Sequence, residues 1–401
     1  MAAEQYQAPE SVSRLQQRAF IVGGVALLVS LFGAMRSPEV FYPAYLMSFM
    51  LILGLTVGSL GLLMLQHLTS GHWGIIIRRS LESATRTLPL LAVAFLPIAI
   101  FGMHYLYSGH EKETGWLNAP PTGEGALSDF QKNYLTRNGF YIRAIIYFAV
   151  WLTLMFVFNI LSKQQDANPE DRALRLRFKM LAGPGIILYV FMMTFASFDW
   201  VMSLSPHWAS TIYGFLFVAG QLISAMAFMI AVVVLLSRTE PFASVLQKRH
   251  LHDLGKLLLA FVMLWAYFDF SQLLIIWSGN QPEEISFYRT RLYGGWGVVA
   301  IIVLVFHFFV PFFLLLSQDV KRNAKVLPKI AMWLIFMRLV DLFWMTRPEF
   351  TSRAMPTWLD IVLPLGLGGI WLGFFGFNLK QCPILPLGDP ELAEAIEHHE
   401  H

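Results

Sequence analysis

The chain has 401 residues, of which 56% are hydrophobic and only 14% are charged. Soluble proteins usually carry about 25% charged residues, so this composition excludes a soluble globular protein and indicates one surrounded by lipid. The net charge of +3 offers no strongly basic surface for nucleic acid. The single cysteine, Cys382, excludes an internal disulfide and an iron–sulfur cluster held by this chain alone.

Apolar runs long enough to cross a bilayer follow one another along the chain. A helix needs about 20 apolar residues to cross the hydrocarbon core, and only helices or closed barrels satisfy the backbone in lipid. The ten runs lie near residues 19–35, 42–65, 88–107, 140–161, 181–202, 208–236, 254–277, 293–316, 326–345 and 355–379. They predict an all-α integral membrane protein with one membrane domain over residues 19–379, between polar tails at 1–18 and 380–401.

The basic residues of the connecting segments predict the orientation, because Lys and Arg concentrate on the cytoplasmic side. Eighteen of them lie in the two tails and in the alternate loops on the same side as the tails, whereas the loops on the other side hold eight. Both termini are therefore predicted to be cytoplasmic. The long polar loop 108–139 is predicted to be external. The tail-side loops are 66–87, 162–180, 237–253 and 317–329.

Nine ionisable side chains fall within the predicted spans, where they are costly and usually face a bundle interior or a cavity. Seven lie in the predicted outer half of the membrane: His104, Arg143, Asp199, Asp269, Arg338, Asp341 and Asp360. His307 lies near the middle and Lys256 near the inner end. This asymmetry predicts a polar cavity open to the outside. Snorkelling of side chains at helix ends would equally explain Arg143, Asp199 and Asp360.

A proton relay is one interpretation of the deeper groups. Arg338 and Asp341 are three residues apart, on one face of a helix. Asp269 has no basic residue within four positions of it in its own span, so it must be protonated, paired with Arg338 or another cation, or hydrated. A carboxyl group that exchanges a proton at depth is what a relay needs, and His307 could link it inward. The alternatives are a purely structural ion pair and a histidine that bonds only to backbone.

Proline and glycine mark helix irregularities and close helix packing. Gly183-Pro184-Gly185 predicts a break in the fifth span, and further breaks are expected at Pro97, Pro311 and Pro364. The GxxxG patterns "GLTVG" (54–58) and "GIWLG" (369–373) predict close helix contacts.

Four stretches carry a family resemblance: "LAGPGIILYVFMMT" (181–194), "SFDWVMSLSPHWASTIYGFLFVAG" (197–220), "HDLGKLLLAFVMLWAYFDFSQLLIIWSGNQPEE" (252–284) and "PLGDPELAEAIE" (386–397). They resemble the polysulfide-reductase-like (NrfD-like) integral membrane proteins. Within that family, the chain is most similar to the smaller of the two NrfD-like membrane subunits of bacterial alternative complex III. The resemblance extends over nearly the whole chain.

The resemblance implies a fold and a place in electron transport. The family core is two four-helix bundles, spans 2–5 and 6–9, with spans 1 and 10 flanking them. The chain would be a multi-pass subunit of a respiratory or photosynthetic quinol:acceptor oxidoreductase in the bacterial cytoplasmic membrane. Its partners would be an iron–sulfur protein, multihaem cytochrome c subunits and a larger NrfD-like membrane subunit. Electrons would pass through haem c and iron–sulfur centres of those partners, and this chain would hold no covalently bound redox cofactor.

Two sets of candidate site residues follow from the polar residues and the resemblance together. Asp199 matches a family aspartate near the outer end of the fifth span, beside a quinol cavity. A candidate quinone or menaquinone cavity would therefore include Asp199, His207, Trp208, His104 and Arg143. A proton pathway would run through Asp269, the Arg338/Asp341 pair, His307 and Asp199. No metal site is predicted, and the terminal "EHHEH" is interpreted as an acidic tail.

Two other classes of function stay open at this stage. A self-sufficient secondary transporter would have two halves with matching helix breaks, but positions 183–185, 311 and 364 do not pair in that way. A passive membrane anchor would use its polar residues only to specify helix packing.

Overall fold

The computed structural model describes residues 6–110, 113–123, 125–169, 171–240, 242–389 and 392, and this part of the chain is helical apart from its connecting turns and one short β-ribbon. The ribbon pairs β1 (Gly109–His110) with β2 (Glu113–Thr114) in antiparallel register. The helices of the first half are α1 (Glu10–Arg36), α2 (Pro38–Thr69), α3 (His72–Thr85), α4 (Leu88–Pro97), α5 (Met103–Tyr107), α6 (Asp129–Tyr134), α7 (Arg137–Ala167) and α8 (Arg172–Trp200). Those of the second half are α9 (Tyr213–Leu236), α10 (Phe242–Val245), α11 (Lys248–Gly279), α12 (Pro282–Leu292), α13 (Trp296–Val303), α14 (Val310–Leu316), α15 (Gln318–Arg322), α16 (Leu327–Thr346) and α17 (Leu359–Leu379). Two 3₁₀ turns, Met202–Leu204 and Arg347–Glu349, follow α8 and α16.

Nine helical segments of the described chain are long and apolar enough to cross a membrane. The chain is therefore an all-α, multi-pass membrane protein. The tenth predicted span, 326–345, forms α16, but this helix does not meet the same apolar criterion. It carries Lys329, Arg338 and Asp341 within 20 residues, and charge of this density lowers the hydropathy of the whole segment.

The first and last long helices pack antiparallel to each other. Gly23 of α1 lies so close to Gly369 of α17 that a Cβ at either position would clash with the backbone of the other helix. At the helix ends, the Ile384 backbone N–H donates to the Tyr6 carbonyl at 2.8 Å. Both ends of the described chain therefore lie at the same end of the molecule. Helix α1 begins nine residues before the predicted span, directly after Pro9.

The centre of the molecule is formed by α2 and α9. Helix α2 is apolar on all sides, as expected for a helix without a solvent face, and its most apolar window is entirely buried. It packs against α8 and α9, while α9 also packs against α11 and α16. A Cβ at Gly58 would clash with the Gln221 carbonyl of α9. The close contacts predicted from both GxxxG patterns are thus confirmed.

The helix irregularities differ from the prediction. The expected breaks at 183–185 and at Pro364 are wrong, because α8 continues through Pro184 and α17 continues through Pro364. Two π-helical segments occur instead, Ile98–Gly102 directly after Pro97 and Leu304–Phe309 shortly before Pro311. Proline has no N–H to donate to the carbonyl four residues earlier, which favours local rearrangement of the ladder. Such π segments are often found at functional sites.

Three predicted loops contain more structure than expected. Most of loop 66–87 is helical, since α2 extends to Thr69 and α3 occupies His72–Thr85. The described part of loop 108–139 holds the β-ribbon and α6, and the connection 278–292 contains α12. The tail after residue 380 is also packed, because Ile384 and Leu385 are buried.

Candidate functional site

Asp199 lies at the end of α8 and finds its cation on the neighbouring helix α7. The Arg143 guanidinium binds it with both arms, Nε to Oδ2 at 2.8 Å and Nη2 to Oδ1 at 2.9 Å. The Tyr147 hydroxyl donates to Oδ2 at 2.6 Å, and the Asp199 side chain is completely buried. A bidentate arginine pair with an added hydrogen bond fixes the position of the carboxylate.

The short helix α6 covers this ion pair. Arg143 Nη1 donates to the Tyr134 carbonyl at 2.9 Å, and the guanidinium carbon lies 3.9 Å from the centre of the Tyr134 ring. Burial and the nearby Asp199 carboxylate raise the pKa of Tyr134 to about 12, so this phenol stays protonated at physiological pH. Asp199 is therefore closed off from the predicted external surface.

Among the five residues of the candidate quinone cavity, Arg143 and Asp199 form an ion pair. Trp208 stacks on Phe287 at 3.9 Å between ring centres and lines a small cleft of about 370 Å³ beside α6. His207 is partly exposed. The His104 side chain is exposed on α5, with Nδ1 2.9 Å from the Ser108 hydroxyl. Quinone binding at these residues stays a prediction.

A larger cavity lies between α11 and the segment formed by α13 and the following π helix. Its volume is about 920 Å³. Most of its wall is aliphatic and aromatic, and its polar groups include the carboxyl groups of Asp269 and Asp341 and the hydroxyl of Tyr288. Sequence reasoning predicted a polar cavity that includes Asp269 and Asp341, but it did not predict the mainly apolar wall.

The predicted pairing of Arg338 with Asp341 is confirmed, and both side chains are buried. The guanidinium also lies over the Phe217 ring of α9, 5.4 Å from its centre. It packs directly on the backbone at Gly220, where any Cβ would clash with it. The absence of a side chain at Gly220 thus allows the ion pair to sit between α9 and α16.

Asp269 lines the same cavity as Asp341 but, unlike Asp341, is not part of an ion pair among the described residues. Its side chain is partly exposed, and it forms no hydrogen bond or ion pair with any residue that the structure describes. Asp341 and Arg338 are the charged groups that act on it electrostatically. Of the states predicted for Asp269, pairing with Arg338 is not observed, because Arg338 binds Asp341. The carboxyl group is left facing the cavity.

His307 lies in the π segment and is fully buried. Its ring packs edge-on against Trp265, with 4.5 Å between ring centres, and Trp265 lines the cavity. Neither ring nitrogen has a hydrogen-bond partner within the described chain. An unsatisfied buried polar group costs about 1–3 kcal/mol. A hydrogen bond from either ring nitrogen to a water molecule would remove this cost. Asp269 and Asp341 therefore line one cavity, whereas Arg338 and His307 lie behind its wall, in contact with Asp341 and Trp265. Asp199 is not among the residues that line this cavity.

Sequence reasoning missed an ionic network at the opposite end of the bundle. Arg78 and Arg79 of α3 are buried and both bind Glu82, at 3.2 and 2.7 Å. Arg78 also binds Asp389 at 2.6 Å, and Arg79 binds Asp166 of α7. The three- and four-residue spacing of these charges is a helical ion-pair signal, which could have identified α3 within the supposed loop.

The predicted external end is also closed by buried ion pairs. Arg291 of α12 binds Glu349 at 2.8 Å, and Arg347 lies 3.4 Å from Asp360. Both arginines belong to the eight basic residues of the predicted external segments, yet both are buried.

The part of the chain that the structure describes holds no group of three or more His, Cys, Asp or Glu residues placed to bind a metal ion. The terminal "EHHEH" lies outside the described residues.

No family model and no curated protein matches this chain.

Proposed function

We propose that this chain is a membrane subunit of a quinol:acceptor oxidoreductase similar to alternative complex III, and that it provides a proton pathway and a second quinone site. It would lie in the bacterial cytoplasmic membrane, with two four-helix bundles and both termini inside. Haem c and iron–sulfur centres of partner subunits would carry the electrons. The partners would be an iron–sulfur protein, multihaem cytochrome c subunits and a larger NrfD-like subunit.

The observation that carries the proposal concerns Asp269, which has no ion-pair partner among the described residues. It lies beside Arg338 and Asp341, which bind each other. Arg338 and Asp341 balance each other, so the cluster has one negative charge when Asp269 is ionised and none when it is protonated. A single proton therefore changes the charge of the cavity, while the Arg338/Asp341 pair keeps its shape. This is the behaviour required of a relay carboxyl group.

His307 would extend the pathway from this cluster. Its ring packs against Trp265, which lines the cavity. Both ring nitrogens lack a hydrogen-bond partner among the described residues. The π segment that holds it presents the imidazole inward rather than to lipid. A neutral imidazole can accept a proton on one nitrogen and release one from the other, as a relay between the cavity and the inner half of the protein needs.

Asp199 has a different role in this proposal. Both carboxylate oxygens are bound by Arg143, and Oδ2 also accepts from Tyr147. Protonation would break this arrangement, so the geometry favours a fixed ion pair that holds the ends of α7 and α8 together. The proton pathway through Asp269 does not require Asp199 to titrate.

Isolation of the chain from its native membrane in mild detergent tests the assembly. The proposal predicts that mass spectrometry finds a multihaem cytochrome, an iron–sulfur protein and a larger NrfD-like relative in the same particle, with haem c bands in the optical spectrum. A chain that is isolated alone and colourless would contradict the proposal and favour a transporter.

A further inference from the structure

We infer that the cavity between α11 and α13 binds the ring of a lipid-soluble quinol, with Asp269 accepting a hydrogen bond from one ring hydroxyl. The inference rests on the proposed function, because it gives a position to the second quinone site. It moves that site from the Asp199 region of the first half of the chain to the second half.

The mouth of the cavity opens on the lipid-facing surface. Phe270 of α11 and Val298 and Ile301 of α13 stand at its rim, and each exposes 61–62% of its surface. These side chains are apolar, as expected for residues in contact with lipid tails. A molecule that enters between them must therefore partition into the bilayer first, which excludes ordinary water-soluble metabolites.

The body of the cavity suits a flat ring with an apolar tail. Its volume of about 920 Å³ is at the upper end of the roughly 300–1,000 Å³ typical of small-molecule sites. Trp265, Trp344 and Phe308 contribute aromatic walls, and aromatic rings pack favourably against one another in offset or edge-on geometry.

The polar groups match the two oxygens of a quinol. Asp269 has no partner within the described chain and can accept from a ring hydroxyl. The Tyr288 hydroxyl also lines the cavity and accepts from Gln272 Nε2 at 3.4 Å, which leaves its own proton available to donate to the second ring oxygen. An acceptor and a donor in one apolar cavity are the recognition elements that such a ring requires.

The charges disfavour a phospholipid as the occupant. A phosphate head group needs a cation, but Arg338 is already bound to Asp341. The carboxyl groups of Asp269 and Asp341 would repel the phosphate. An acyl chain alone would bury Asp269 without a hydrogen bond, which is costly. A neutral hydroxylated ring satisfies the carboxyl group without adding charge.

Photolabelling of the full chain in its native membrane tests the inference without depending on enzyme activity. The probe is a decyl quinol that carries an azide on its ring, and excess unlabelled decyl quinol is the competitor. Competed label is expected in the tryptic peptides 257–289, 292–321 and 339–353, which contain the cavity walls. Val298→Trp at the mouth should lower this labelling at least tenfold, equivalent to about 1.4 kcal/mol of binding free energy.

Val93→Trp is the matched control, because Val93 has nearly the same exposure, 63%, on α4 away from the cavity. Labelling unaffected by this variant supports the inference. Three results would overturn the inference. They are competed label in other peptides, labelling of Val298→Trp equal to that of the unmodified chain, and labelling that only a photoreactive phospholipid produces. If Val298→Trp fails to accumulate, the positions of competed label in the unmodified chain still decide between these outcomes. Label in the cavity of a chain isolated without redox partners would retain the site and reject the proposed assembly.

Discussion

At the scale of single residues, Asp199 and Asp269 differ in whether the fold gives their carboxyl group a cation. Neither aspartate has a basic residue within four positions of it in its own helix, so the sequence places both among candidate proton carriers. The fold gives Asp199 the guanidinium of Arg143 and gives Asp269 no partner among the described residues. Only the Arg338/Asp341 pair was predictable, because its partners are three residues apart. The partner of Asp199 lies 56 residues away, beyond the reach of local spacing.

The Asp199 ion pair should be a stabilising unit rather than a titrating one. We expect Arg143→Met to lower the free energy of unfolding by roughly 2–4 kcal/mol, since it leaves a carboxylate buried without its cation. Adding Asp199→Asn should restore a large part of that loss. Equilibrium denaturation in detergent measures both, and Arg137→Met, at an exposed position of the same helix, is the control. Equal stability of all three variants would show that the pair contributes nothing.

At the scale of elements, apolar runs predict the long helices well, and their boundaries and irregularities less well. The expected break at 183–185 is absent because a proline is tolerated inside a packed helix when its surroundings satisfy the freed carbonyl. The π segments at 98–102 and 304–309 depend on packing that no local pattern specifies. Helix α3 was missed because its buried charges resemble those of a cytoplasmic loop.

Helix α16 is the element whose membrane crossing most needs a test, because it carries three charged residues. In a Cys382→Ser background, we expect an impermeant maleimide to label Arg353→Cys on intact spheroplasts and Lys325→Cys only after permeabilisation. Both positions are exposed and lie on either side of α16. Labelling of both from the same side would show that α16 does not cross, and reversed sides would contradict the predicted orientation.

At the scale of the whole molecule, the sequence predicts the class of protein but not the mainly apolar cavity at Asp269. Composition and ten apolar runs are sufficient for an all-α membrane protein. The cavity requires α11, α13 and α16 to meet, and this depends on contacts such as Arg338 against Gly220. Of the five predicted proton-pathway residues, Asp269 and Asp341 line this cavity. Phe270, Val298 and Ile301 line it as well and are exposed, so the cavity opens on the apolar outer surface of the helices.

Proton release per quinol oxidised, measured on the isolated assembly in liposomes, is the most direct test of the account. Asp269→Asn keeps the size of the side chain and removes its titration, and Asp253→Asn, at another partly exposed position of the same helix, is the matched control. The account predicts fewer protons released per quinol, or a slower turnover, for Asp269→Asn and unchanged values for Asp253→Asn. An unchanged stoichiometry and rate in Asp269→Asn would contradict a proton pathway through this carboxyl group.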